Sequence, residues 1–126
     1  MQATFVAALS VAAMMVAAPV MAEGNAARGE RLFNQQCKAC HTLDKDGART
    51  VGPNLHGLVG RKAGSTEGFS SSDAMKASGI VWDDKTLVEY LKDPKGRVPG
   101  TKMVYAGLKQ EAQQADMIAF LKKATQ

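Results

Sequence analysis

The residues whose types and spacing carry chemistry are Cys37-Lys38-Ala39-Cys40-His41, a C-x-x-C-H run. A chain of this composition meets that pattern by chance only about 0.0005 times. Two thiols separated by two residues span the gap between the two vinyl groups of a haem. The histidine that follows at once brings an imidazole under the ring, towards the iron. Other uses of these residues fit less well. A thioredoxin-like redox pair needs a βαβ setting that the pattern does not offer. A zinc site would have to draw on Cys37, Cys40, His41 and His56, and adjacent Cys40 and His41 are awkward ligands. A plain Cys37–Cys40 disulfide leaves His41 without a purpose. One covalently bound haem c, with its iron on His41, is the expectation.

What the iron does depends on its other face: a filled sixth position makes an electron carrier, an open one a gas binder or a peroxidase. The candidates are His56, Met75, Met103 and Met117. His56 follows His41 too soon to reach the far side, and Met117 sits in a helix where methionine usually fills core. Spacing favours Met103, in the constrained loop Pro99-Gly100-Thr101-Lys102-Met103, and leaves Met75 open.

Positioning such a group is the task of the rest of the chain. It has 126 residues, 45% hydrophobic, 22% charged and only 6% aromatic, with a net charge of +4. That is one domain's length, too ordered in composition for a disordered polyelectrolyte. Two cysteines exclude a disulfide-rich scaffold and a four-cysteine zinc site. Residues 1–22 carry no charge and run apolar to a small-x-small site at Val20 and Ala22, which predicts a secretory signal cut after Ala22. An uncleaved membrane anchor is the competing reading. Every charged residue lies in 23–126, the haem domain.

Within that domain the pattern predicts an all-α fold: three main helices and long loops wrapped around the haem. The first helix runs over 25–36, capped by Asn25, with Gly29 inside it where another backbone would pack. Glycine-punctuated loop covers 43–79, with a short helix near 72–77. A third helix follows Asp83 or Asp84 and stops before Pro94, carrying Leu87, Val88 and Leu91 on one face. Loop resumes over 94–107. The last helix, 111–124, gathers Ala115, Ile118, Phe120, Leu121 and Ala124 on one side. Few apolar side chains for this length predict that the chain does not fold without haem.

Residues 24–126 resemble a mitochondrial-type class I cytochrome c, in its bacterial periplasmic form. The resemblance rests on the C-x-x-C-H run, Gly52-Pro53-Asn54-Leu55-His56-Gly57-Leu58, Gly60-Arg61-Lys62, Trp82, Tyr90-Leu91, Pro99-Gly100-Thr101-Lys102-Met103 and Leu121-Lys122-Lys123-Ala124-Thr125, in that order. It implies Met103 as sixth ligand and Pro53 as carbonyl partner of His41. It further implies Trp82 and Arg61 at the haem propionates, Tyr90 and Thr101 on the methionine side, and Gly29 and Phe33 against Phe120 and Leu121. Three positions depart from the family: Ser71 replaces a tyrosine, Met75 an asparagine and Tyr105 a phenylalanine. Gln36 and Thr50 stand where lysines are common.

The implied function is a soluble, monomeric, periplasmic one-electron carrier and not an enzyme. It would run from a quinol-oxidising membrane complex to a terminal oxidase or a photosynthetic reaction centre. The rival is a haem peroxidase or gas-binding protein with a labile Met103 bond. Arg31, Lys62, Lys95, Lys102 and Lys109 are candidates for a basic rim that meets acidic surfaces of membrane redox complexes transiently. Nucleic-acid binding has no motif to support it.

Overall fold

The computed structural model describes residues 10–15, 23–48 and 51–126. The leader expected over 1–22, with its cut after Ala22, falls outside them apart from 10–15, and so does Thr50. Among the described residues no helix is long and apolar enough to cross a membrane.

Among the described residues five helices follow one another: α1 Ala26–Gln36, α2 Asp73–Ala77, α3 Asp84–Lys92, α4 Pro94–Arg97 and α5 Glu111–Ala124. The fold is all-α, as the patterning predicts. Asn25 caps α1 by accepting the Arg28 N–H, and Asp83 caps α3 in a reciprocal box with Thr86. Ser72 caps α2 through the Met75 N–H, 3.0 Å.

The first and last helices cross closely. A Cβ on Gly29 would run into the Asp116 carbonyl and the Phe120 Cβ. Glycine there lets the two backbones meet, which is the role its place in the sequence predicted. The Phe33 and Phe120 rings lie 5.4 Å apart at 51°, a favourable tilted pair. Asp116 locks the crossing: it takes the Asn25 N–H at 2.7 Å and the Arg28 guanidinium at 2.9 and 3.2 Å. On α5 the buried apolar set is Met117, Ile118, Phe120 and Leu121; Ala115 and Ala124 are only partly covered.

Two local features differ from the expected long loops. Residues 94–97 form the single turn α4, because Asp93 caps it and Pro94 fits the first helical position. Within 43–81 an antiparallel bridge pairs Lys62 with Val81. Its flanking bonds, Gly60 N–H to Trp82 O at 2.8 Å and Trp82 N–H to Arg61 O at 3.0 Å, set Trp82 beside Arg61.

Candidate functional site

The centre of this helical frame is not filled by side chains. A cavity of about 240 Å³ runs through it, far more than close-packed interiors leave empty. Phe33, Leu58, Trp82, Leu87, Tyr90, Met117 and Leu121 belong at once to the core and to the cavity wall.

Cys37, Cys40 and His41 stand together on that wall, in the turns that continue α1. The Cys37 and Lys38 N–H groups close on Phe33 O at 2.8 and 2.9 Å, and Cys40 and His41 close on Cys37 O at 3.0 and 2.9 Å. Cys37 is not in a disulfide. Burial, and then Cys40 beside it, push the Cys37 thiol up to about 11. A thiol so reluctant to ionise is a poor redox nucleophile.

His41 is held by its surroundings. Its Nδ1–H donates to Pro53 O at 2.8 Å. Burial lowers its pKa first; the Pro53 bond opposes this and Arg61 adds to it. The imidazole is therefore neutral, and with Nδ1 committed its Nε2 keeps a lone pair for a metal. Gly52 explains how Pro53 comes so near. A Cβ there would sit 2.6 Å from His41 Cε1 and 2.9 Å from Cys40 O. Asn54 pins the same turn: its Nδ2 donates to Thr42 Oγ1 at 2.9 Å and Asp44 O at 2.6 Å, and its Oδ1 accepts the His56 N–H at 2.8 Å. Neither role was read from the sequence, although the Gly-Pro-Asn string marked the turn.

Arg61 and Trp82 both line the cavity. Arg61 Nη1 donates to His56 O at 3.0 Å and both Nη atoms reach Asn54 O at 3.3 Å. Its Nε is buried with no partner, and burial lowers the guanidinium pKa. A half-satisfied buried cation seeks an anion. The carboxylates of a haem supply one, so the residues present fit the group.

The cavity wall also carries Tyr90, Thr101 and Met103. Tyr90 Oη and Thr101 Oγ1 share a hydrogen bond of 2.6 Å, and the Met103 N–H points to Thr101 Oγ1 at 3.4 Å. Gly100, at φ +95°, makes the turn that presents this segment. Met75 and Met117 also line the cavity, as does Ser71; His56 does not. Among the described residues no three or more His, Cys, Asp or Glu side chains form a metal cluster. The zinc reading therefore finds no ligand cluster among them.

Lys102 lies on the cavity wall and its Nζ donates to Ser70 O at 3.0 Å. Lys109 Nζ donates to Lys92 O at 2.6 Å. Lys62 and Lys95 are exposed, on the bridge and on α4. Arg31 lines a separate shallow groove between α1 and α5 with Arg28, Leu32 and Asp116. Val51 and Val104, 75% and 93% exposed, form an apolar lip at the cavity mouth.

The sequence model of the Cytochrome c family matches residues 26–125. A cytochrome c of Gibberella zeae is 52% identical over 105 residues, 83% of this chain and 99% of that protein. One from Theileria annulata is 55% identical over 106 residues, 84% and 91%. One from Arabidopsis thaliana is 47% identical over 111 residues, 88% and 99%. These relatives are eukaryotic, and they overturn the periplasmic location expected from the apolar leader. The leader misled because an uncharged apolar segment does not by itself identify the membrane it addresses. The turn that carries Cys37, Cys40 and His41, the hollow core and the matched span lead to one conclusion: the chain belongs to the cytochrome c family, electron-transfer proteins and not enzymes, with one covalently bound haem c and its iron.

Proposed function

We propose that the protein is a soluble, monomeric one-electron carrier in which Cys37 and Cys40 would attach the haem and His41 and Met103 would hold its iron. The observation that carries this reading is that His41, its Nδ1–H committed to Pro53, shares one cavity with Met103. When bound, the haem iron supplies the one-electron change between ferric and ferrous.

The chain's own residues keep that change small in its structural consequences. His41 stays neutral and fixed in orientation, so no proton or ligand has to move. The Met103 thioether is soft and favours the lower charge, raising the potential. The apolar wall built by Phe33, Leu87 and Leu121 excludes water and works in the same direction. Arg61 and Trp82 receive the propionates. The lip of Val51 and Val104 is where the haem edge meets a partner. Transient partners are a quinol-oxidising membrane complex on one side and a terminal oxidase on the other. Arg31, Lys62, Lys95, Lys102 and Lys109 steer the encounter towards acidic surfaces, and the steering weakens with salt.

Residues 1–22 are a removable leader cut after Ala22. Their lack of charge and the start of the family match at residue 26 support it. The mass of the purified protein checks this: residues 23–126 plus one haem are expected, and retention of 1–22 contradicts it.

The ligation is tested with Met103→Ala. The parent, reduced, leaves carbon monoxide unbound, and the variant binds it rapidly. A parent that binds carbon monoxide as fast as the variant would replace the carrier by a gas-binding or peroxidase function.

A further inference from the structure

The segment that presents Met103 is held loosely along its own backbone. Thr101 is fixed by its N–H to Val98 O at 2.9 Å, and Leu108 by its N–H to Leu91 O at 2.7 Å. Between them, among the described residues, the backbone makes one hydrogen bond, Met103 N–H to Thr101 Oγ1 at 3.4 Å. Val104, almost wholly exposed, packs against nothing that would hold it. Such a stretch opens locally unless a side chain ties it down.

One side chain does so across the mouth. The Tyr105 hydroxyl donates to Gln36 Oε1 at 2.6 Å, joining positions 69 residues apart. Gln36 is the last residue of α1, next to Cys37, and α1 is locked to α5 by Gly29, Phe33 and the Asp116 bonds. Tyr105 therefore ties the segment that carries Met103 to the last residue of α1. Lys102, the residue before Met103, ties the same segment to Ser70 O through a long flexible stem, a weaker restraint because more rotamer freedom is lost in making it. The resemblance places phenylalanine and lysine commonly at these two positions, where this chain has Tyr105 and Gln36.

We infer that Tyr105 and Gln36 form a latch that positions Met103 and sets how often it leaves the iron. The inference rests on the proposed Met103 ligation. Tyr105 is a positioning residue: it acts on the iron through the segment it holds. Tyr105→Phe keeps the ring against the cavity and removes only the donor; Gln36→Ala removes only the acceptor.

The experiment uses the ferric holoprotein and imidazole as the incoming ligand. At saturating imidazole the binding rate reads the departure of Met103. Each single variant should bind about three- to tenfold faster than the parent, the worth of one hydrogen bond. The double variant should be no faster than either single, since both remove the same bond. General loosening of the fold would instead act independently at the two sites. Unchanged rates in the singles, or a double variant whose acceleration is the product of the two, overturns the latch. The weak far-red sulfur-to-iron band of the parent separates the two claims: its absence overturns Met103 ligation, and the inference with it.

Discussion

Met75 sits on the cavity wall with Met103, capped into α2 through Ser72. An apolar thioether at that place leaves the distal side drier than an amide would. Met75→Asn places a dipole near the iron, which stabilises the ferric charge. The midpoint potential should fall by about 20–60 mV, the redox equivalent of one modest polar interaction. A potentiometric titration that shows no change, or a rise, contradicts a dry distal side. At this scale the cysteines and His41 were legible, because covalent attachment demands fixed spacing. Met103 was favoured by its Pro-Gly loop, with Met75 left open. Gly52 and Asn54 were not legible as supports of His41, because both act through backbone placed far along the turn. The proposed rim was legible only as composition: lysines show charge, but not which face they share.

The crossing of α1 and α5 is the element on which the rest is hung. Gly29→Ala adds a Cβ against the Asp116 carbonyl and the Phe120 Cβ, neither of which is a flexible tip. A loss of about 1–3 kcal/mol is expected, as for overpacking generally, read as a lowered thermal midpoint; an unchanged midpoint means the helices do not cross there. The same crossing carries a pH dependence. The Arg28 guanidinium and then the Asn25 N–H hold the Asp116 carboxyl below the usual carboxylate range. A depressed folded pKa gives stability that is present above the unfolded value, near 4, and is lost as pH falls through the folded value. Acid titrations of the thermal midpoint should therefore be flatter for Asp116→Asn than for the parent below about pH 4. Equal slopes would remove Asp116 from the acid response. The long helices were readable from caps and apolar spacing. The turn α4 and the Lys62–Val81 bridge were not: one helical turn has no periodicity, and a single bridged pair has no alternation to show.

Across the whole molecule the core and the cofactor site are one object. Phe33, Trp82, Tyr90 and Leu121 pack against the cavity as well as against each other. Without haem they would face a void or collapse from their places, and either destabilises. The Cys37→Ala, Cys40→Ala double variant, free of haem, should show no cooperative melt; a sharp one would mean that the protein frame suffices. Scarce aromatics and long glycine-rich loops made this dependence visible in the sequence, whereas the location of the protein was misread from its leader. The measurement that tests the central claim most directly is the visible spectrum of the purified protein, oxidised and reduced, with and without carbon monoxide. A c-type reduced spectrum that carbon monoxide leaves unchanged, and a weak far-red sulfur-to-iron band on oxidation, are expected. Rapid carbon monoxide binding, or an oxidised spectrum without that band, would contradict His41/Met103 ligation and the carrier built on it.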